Sequence, residues 1–226
     1  MAQSKVVLIT GASSGIGKAT AETLVKNGHK VIVTARNKDK LANLVDKLGD
    51  KNAIAIPADA TDFEALENVV QKGIEHYGCL DVVFANAGIG VKTPGTENGD
   101  IDEWRQMLDI NINALLFTAK LTLPHLRTTT GHFILTSSAA GRNPIAGSIY
   151  GATKWFAYGF GQNLAQEMSE WNGRCTTIAP GMVNTPFFDE AKPDKLDPQD
   201  VAEAVLYAIS ANSRCSVREV FLMPSN

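Results

Sequence analysis

Seven short runs rich in β-branched and aromatic residues, each parted from the next by a stretch long enough for a helix, set the narrowest limit on how this chain can fold. They are Val6-Val7-Leu8-Ile9, Lys30-Val31-Ile32-Val33, Ala53-Ile54-Ala55-Ile56, Val82-Val83-Phe84, His132-Phe133-Ile134-Leu135, Thr176-Thr177-Ile178 and Val220-Phe221-Leu222. Runs that are apolar throughout suit strands of a parallel sheet covered by helices on both faces, because a sheet with one wet face would alternate apolar and polar residues. Between the runs the apolar residues fall at helical spacing. Leu41, Leu44, Val45 and Leu48 form a one-sided stripe that stops at Gly49, and Leu66, Val69, Val70 and Ile74 form another that stops before Gly78. Asp197-Pro198 joins an N-cap to a proline at the first helical position, opening a helix through Val201, Ala204, Val205, Ala208 and Ile209. Longer helices are expected over 104–126 and 150–171. No linker or repeat interrupts the alternation, so residues 1–226 are expected to form a single doubly wound α/β domain with a seven-stranded, mostly parallel sheet.

Composition narrows the partners. The chain has 226 residues, 44% hydrophobic and 20% charged, enough for a large core. No apolar run approaches the roughly 18–20 residues that a membrane span needs. Met1-Ala2-Gln3-Ser4-Lys5 leads straight into the first strand, so a cytoplasmic location with no membrane partner is expected. A net charge of −3 with no basic tract argues against nucleic acid. Cys79, Cys175 and Cys215 lack metal-ligand spacing and are expected to be reduced, packed thiols; no metal site is expected.

The first strand runs into Thr10-Gly11-Ala12-Ser13-Ser14-Gly15-Ile16-Gly17, which opens a helix ending near Gly28. Glycines at such a turn let the backbone approach a pyrophosphate, which then lies on the positive end of the helix. The spacing is G-x-x-x-G-x-G rather than G-x-G-x-x-G, and glycines placed for packing alone are the competing explanation. After the second strand, where sites selecting NAD carry a carboxylate, the chain has Ala35-Arg36. Arg36 can pair with a 2′-phosphate through charge-assisted bonds, or it is a solvated surface arginine. Tyr150 and Lys154 stand one helical turn apart, on one face of an otherwise apolar segment. A cation beside a phenol favours the phenolate and draws its pKa down from about 10 toward neutrality, as general acid–base chemistry needs. A core tyrosine with a solvated lysine is the plain alternative.

Together these segments resemble the short-chain dehydrogenase/reductase family, in its NADP-preferring Tyr-x-x-x-Lys type, over essentially the whole chain. The resemblance implies a Rossmann fold, a nucleotide-binding oxidoreductase acting on CH–OH groups, NADP(H) as cofactor and a homodimer or homotetramer packed on the long helices. Gly11, Ser13, Ser14, Gly15, Ile16 and Gly17 match its cofactor turn, and Asp59-Ala60 match the pair that contacts the adenine. Asn86-Ala87-Gly88 match the motif after the fourth strand, and Pro180, Gly181, Val183 and Thr185 lie in the segment that fixes the nicotinamide carboxamide. Asn111 falls on the asparagine that holds a relay water, and Ser138 on the catalytic serine. By this likeness Tyr150 exchanges a proton with the substrate oxygen, and Ser138 hydrogen-bonds that oxygen. Lys154 lowers the tyrosine pKa and binds the nicotinamide ribose.

The chain departs from the family in having Ala85 where an asparagine is frequent, and in a shorter segment over 184–197, which with 90–99 would close over the substrate. Small to medium carbonyls or hydroxy acids are expected, packed by Met182, Val183, Phe187 and Phe188. Arg142 and Asn143 either line the substrate mouth and bind a carboxylate or belong to a surface loop. His29, His76, His125 and His132 are taken as structural or solvent-facing. A 3-oxoacyl carrier-protein reductase is one alternative, weakened by the absence of a clear basic docking patch and of a Gly-Gly ending. A non-catalytic NADP sensor is another, weakened by retention of Asn111, Ser138, Tyr150 and Lys154.

Overall fold

The computed structural model describes residues 4–225; Met1, Ala2 and Gln3, read above as leading into the first strand, lie outside that range. In chain order the elements are β1 (Val6–Thr10), α1 (Gly15–Lys26), β2 (Lys30–Thr34), α2 (Lys38–Leu48), β3 (Ala53–Ala55), α3 (Phe63–Tyr77), β4 (Val82–Ala85), α4 (Ile101–Leu108), α5 (Ala114–Thr129), β5 (His132–Thr136), α6 (Ile149–Ser169), β6 (Arg174–Pro180), α7 (Pro198–Ser210) and β7 (Glu219–Leu222). The strands form one sheet in the order β3-β2-β1-β4-β5-β6-β7. Every neighbouring pair is parallel, which sharpens the expectation of a mostly parallel sheet.

Strand periodicity builds the two layers. Val7 and Ile9 of β1 point into a core shared with Ala21 and Leu24 of α1, Leu41 and Leu44 of α2, and Val201 and Val205 of α7. Leu8, between them, points into the opposite core with Leu66 and Val69 of α3, Leu115 and Leu126 of α5, and Leu164 of α6. Both faces are covered, which is why the strands carry few polar residues. Phe84 and Phe133 are fully buried, and burying a side chain of that size contributes about 1.5–3 kcal/mol.

Most helix starts are closed by a side chain. Asn37, Asp62, Asp100, Ser148 and Asp197 cap α2, α3, α4, α6 and α7, the last with a capping box completed by Asp200. α1 differs: Ser14 stands at its N-cap and makes no side-chain cap bond. The helix expected over 104–126 is interrupted by a π-helical turn, Asp109–Asn113, between α4 and α5. Among the described residues no helix is long and apolar enough to cross a membrane.

The strand order puts the topological switch between β1 and β4. The chain leaves β1 toward β2 and β3, then crosses back to lay β4 on β1's other side, so the loops after these two strands diverge and open a crevice at the carboxyl edge.

Candidate active site

The loops after β1 and β4 are tied together where they diverge. Thr10 Oγ1 accepts hydrogen bonds from the amides of Asn86 at 3.0 Å and Ala87 at 3.1 Å. Asn86 Nδ2 donates back to the carbonyl oxygen of Thr10 at 3.3 Å, and its Oδ1 accepts from Thr136 Oγ1 at 3.2 Å. Gly17 lies where any side chain would collide: a Cβ there would stand 2.5 Å from the Gly11 carbonyl oxygen and 2.9 Å from Asn86 Nδ2. Gly11 and Gly15 adopt φ of +66° and +50°, the left-handed region that glycine enters without steric cost. The first N–H groups of α1 have no intrahelical acceptor, as at any helix start, and Ser14 does not supply one. Ser13 and Ile16 lie in the same half-buried turn.

On the other side of the crevice, α6 presents Tyr150 and Lys154. Lys154 is only 5% exposed, and its Nζ donates to the carbonyl oxygen of Thr136 at 3.1 Å. A Cβ on Gly88 would come within 3.3 Å of that Nζ and 3.4 Å of Asn111 Oδ1, so the β4 loop, α6 and the π-helical turn meet at this point. Asn111 is buried and held by three hydrogen bonds. Its Oδ1 accepts from the Ile89 amide at 2.8 Å, and its Nδ2 donates to the Ile89 carbonyl at 2.9 Å and to Thr153 Oγ1 at 3.0 Å.

Electrostatics correct one expectation. Burial pushes the Tyr150 phenol up to about 12, with the side-chain hydrogen bond to Ser138 working in the opposite direction. The lysine does not draw the phenol toward neutral pH in this structure. Its Nζ stands 5.7 Å from the tyrosine ring centre, facing the Thr136 carbonyl, and its own pKa falls to about 8 because burial penalises the ammonium. For both groups loss of water is the dominant cause.

The adjacent serines separate cleanly. Ser137 is 1% exposed and donates to the Lys154 carbonyl oxygen at 2.8 Å, whereas Ser138 makes the bond to Tyr150 and sits 3.4 Å from the Pro180 carbonyl oxygen. After β6, Gly181 donates to Leu222 at 2.7 Å. Val183 pairs with Leu196 in a parallel bridge that uses the Met182 carbonyl and the Asn184 amide, while its side chain is buried in the core. Thr185 returns toward the glycine turn, its Cγ2 standing 3.1 Å from where a Cβ of Gly15 would lie.

Other candidates are more peripheral. Arg36 is exposed just beyond β2 and makes no ion pair among the described residues. Asp59 and Ala60 follow β3, and Asp59 accepts from the Thr61 amide at 3.0 Å and hydroxyl at 2.8 Å, closing its own turn. Arg142 does not face the crevice as a free cation: it pairs with Glu219, and its guanidinium lies 4.9 Å from the Tyr158 ring centre. His29 and His132 are buried. Sequence reasoning passes over the anchoring roles of Thr10, Thr136 and Thr153. Thr10 and Thr136 end their strands beside a loop rich in candidates, the one available signal; the partners of Thr153 are set by folding alone.

The family model for short chain dehydrogenases matches residues 5–196. Over 225 residues, covering 97% of each chain, the sequence is 37% identical to an uncharacterized oxidoreductase of Staphylococcus aureus (strain MRSA252). An alcohol dehydrogenase from the archaeon Thermococcus sibiricus, complexed with 5-hydroxy-NADP, superimposes with a TM-score of 0.91 at 29% identity, over 99% of this chain and 97% of that one. Serine dehydrogenase from Escherichia coli is similar at a TM-score of 0.89 and 31% identity, over 97% of each chain. From the parallel sheet with its glycine turn to the matched 5–196 span, these findings agree: the chain belongs to the short chain dehydrogenase family of oxidoreductases.

Proposed function

We propose that this protein is an NADP(H)-dependent oxidoreductase that interconverts a small carbonyl compound and its alcohol. The observation that carries the reading is the meeting of Ser138, Tyr150, Lys154 and Asn111 beside the glycine turn, at the switch between β1 and β4. The turn suits a dinucleotide: Gly17 has no room for a side chain, and the uncapped start of α1 leaves N–H groups for a pyrophosphate. Arg36 would take the 2′-phosphate, with Asp59, Ala60, Asn86, Ala87 and Gly88 around the adenosine half. Val183 would hold the nicotinamide carboxamide through the backbone N–H and C=O that its bridge to Leu196 leaves unused. The alcohol dehydrogenase with 5-hydroxy-NADP supports the choice of cofactor by likeness.

NADPH, when bound, supplies a hydride for the carbonyl carbon. Tyr150 gives its proton to the carbonyl oxygen, so that reduction yields the alcohol, and takes it back in oxidation. Pushed up to about 12, the phenol is protonated at neutral pH, the form that reduction uses; oxidation needs the phenolate. Ser138 donates to the same oxygen and holds its developing charge. Lys154 steadies the ribose and restores the proton. A cavity of about 10 Å³, lined by Asn111, Lys154, Thr136 and Thr10 together with apolar residues, is where a relay water would sit. The same reading takes residues 1–226 as one domain, cytoplasmic, assembling as a homodimer or homotetramer through the helices over 104–126 and 150–171.

Tyr150→Phe tests the assignment. With NADPH and a panel of carbonyl compounds followed at the nicotinamide absorbance, turnover should fall by about 10²–10⁴-fold while NADPH affinity stays near native. A variant within a few-fold of the unaltered protein would place the acid elsewhere. An unaltered protein that binds NADPH and reduces nothing would favour a sensor.

A further inference from the structure

The segment after β6 is a closed flap. Its ends are clamped by the bridge between Val183 and Leu196 and by the Lys192 amide donating to Asn184 Oδ1 at 2.8 Å. A turn at its tip, in which the Phe188 amide donates to the Thr185 carbonyl at 3.2 Å, carries Phe187 over the site. The Phe187 ring lies 5.5 Å from the Tyr150 ring and 5.2 Å from the Phe188 ring. Its tip meets the loop after β4 where a Cβ on Gly90 would be only 2.9 Å away. Phe187 therefore spans the gap between the phenol and the opposite loop, yet it is 43% exposed. Ile145, Met182 and Met223, on segments that follow β5, β6 and β7 at the carboxyl edge, are exposed by 52–55% and make the rim apolar.

Two cations on this side are already paired with carboxylates. Arg142, the sequence's candidate for a substrate carboxylate, pairs with Glu219, and its guanidinium lies 4.9 Å from the Tyr158 ring centre and 5.8 Å from that of Phe221. Lys192 pairs with Glu190, and Lys154 is turned to the Thr136 carbonyl. On the opposite loop the Glu103 carboxylate accepts from the amides of Lys92 and Thr93 at 3.1 and 3.0 Å, so a carboxylate lies against the backbone of a residue whose own side chain carries the opposite charge.

From these contacts we infer that the substrate is an uncharged carbonyl compound, or the matching alcohol, bearing a flat apolar group, and that Phe187 is the residue that selects it by stacking that group beside Tyr150. This rests on the proposed hydride transfer and narrows it, excluding hydroxy acids from the substrate class. A ring face sliding under Phe187 keeps its aromatic contacts and loses no charge–water interaction. A carboxylate brought to the same wall would be stripped of water and left unpaired.

The test compares acetophenone, its charged analogue 4-acetylbenzoate and the non-planar 2-butanone as substrates with NADPH, and measures acetophenone binding by calorimetry to protein saturated with NADP⁺, a pair that cannot react. Acetophenone should exceed each of the others in kcat/KM by at least about 10-fold. Phe187→Ala should shrink the acetophenone to 2-butanone ratio by about 10-fold and weaken acetophenone in calorimetry to match, with Phe187→Leu between. Phe187 is exposed on a loop, so both variants should keep the fold. Reduction of 4-acetylbenzoate in preference to acetophenone, or an unchanged ratio in Phe187→Ala, overturns this inference while leaving hydride transfer intact. Failure to reduce any of the three while other carbonyl compounds are reduced overturns this inference alone; failure to reduce any carbonyl compound of the wider panel overturns the hydride reading and this inference with it.

Discussion

Lys154 carries a charge to a place that resists it. Its pKa in the folded protein, about 8, lies below the 10.5 of an exposed lysine. The unfolded chain therefore holds the proton more tightly, so the buried ammonium costs stability below pH 8, and the cost is relieved between about pH 8 and 10.5. At about 1.4 kcal/mol per pH unit the cost reaches about 3 kcal/mol at neutral pH, less about 1 kcal/mol for the bond to the Thr136 carbonyl. Lys154→Met should therefore raise the thermal midpoint by roughly 4–8 °C at pH 7 and lose turnover; a midpoint at or below that of the unaltered protein would contradict this. Arg36→Ala should weaken NADPH by about 10–100-fold and leave NADH nearly unaffected, measured by titration of each cofactor. The four-residue spacing of Tyr150 and Lys154 was legible in the sequence; the sign of their electrostatic balance was not, because it depends on how much water each loses on folding. Arg142 shows the same limit, since its partner Glu219 is 77 residues away.

At the level of elements, the strands were plain because each is a short run rich in β-branched and apolar residues, and the π-helical turn was not, because five residues are too few to reveal a change of period. The turn matters out of proportion to its length. It aims Asn111 inward to bond both the Ile89 backbone and Thr153, joining the β4 loop to α6. π-bulges cluster at functional sites, and this one holds a site together. Asn111→Ala strips partners from buried groups that cost about 1–3 kcal/mol each when unmet. Stability in urea should fall by about 2–3 kcal/mol, and the Ile89 amide should exchange hydrogen faster than the β4 core amides. An Ile89 amide as slow as in the unaltered protein would show that the turn does not anchor this loop. The unfilled cap of α1 was equally hidden, since a serine at an N-cap usually bonds.

For the whole molecule, acid tolerance is set at the amino edge of the sheet. His132 stands in register between Val82 and Arg174. Thr176 gives its hydroxyl proton to the Val217 carbonyl, so it accepts from His132 Nε2, and Nδ1 has no partner. Burial, then the charges of Arg174 and Lys5, lower its pKa to about 3, below the 6.5 of a free histidine. The unfolded state thus binds the extra proton, and stability present above pH 6.5 is lost as the pH falls toward 3. Between pH 7 and 5 this one group should remove about 2 kcal/mol, and His132→Leu should flatten the fall in thermal midpoint over that range. Exposed Trp155 and Phe156 on α6 are where the proposed oligomer should break: Trp155→Glu with Phe156→Glu should give a lighter species by light scattering. The strand order also bears on how the chain is made. β1 leaves the ribosome first yet ends in the middle of the sheet, with one edge waiting for β4, whose end at Ala85 lies 30 residues beyond the end of β3 at Ala55. Counted from the end of β1 at Thr10, that edge waits 75 residues, so at about 5–20 residues per second it stays unpaired for roughly 4–15 seconds of synthesis, an interval in which the nascent chain exposes a β-branched edge open to pairing with other chains.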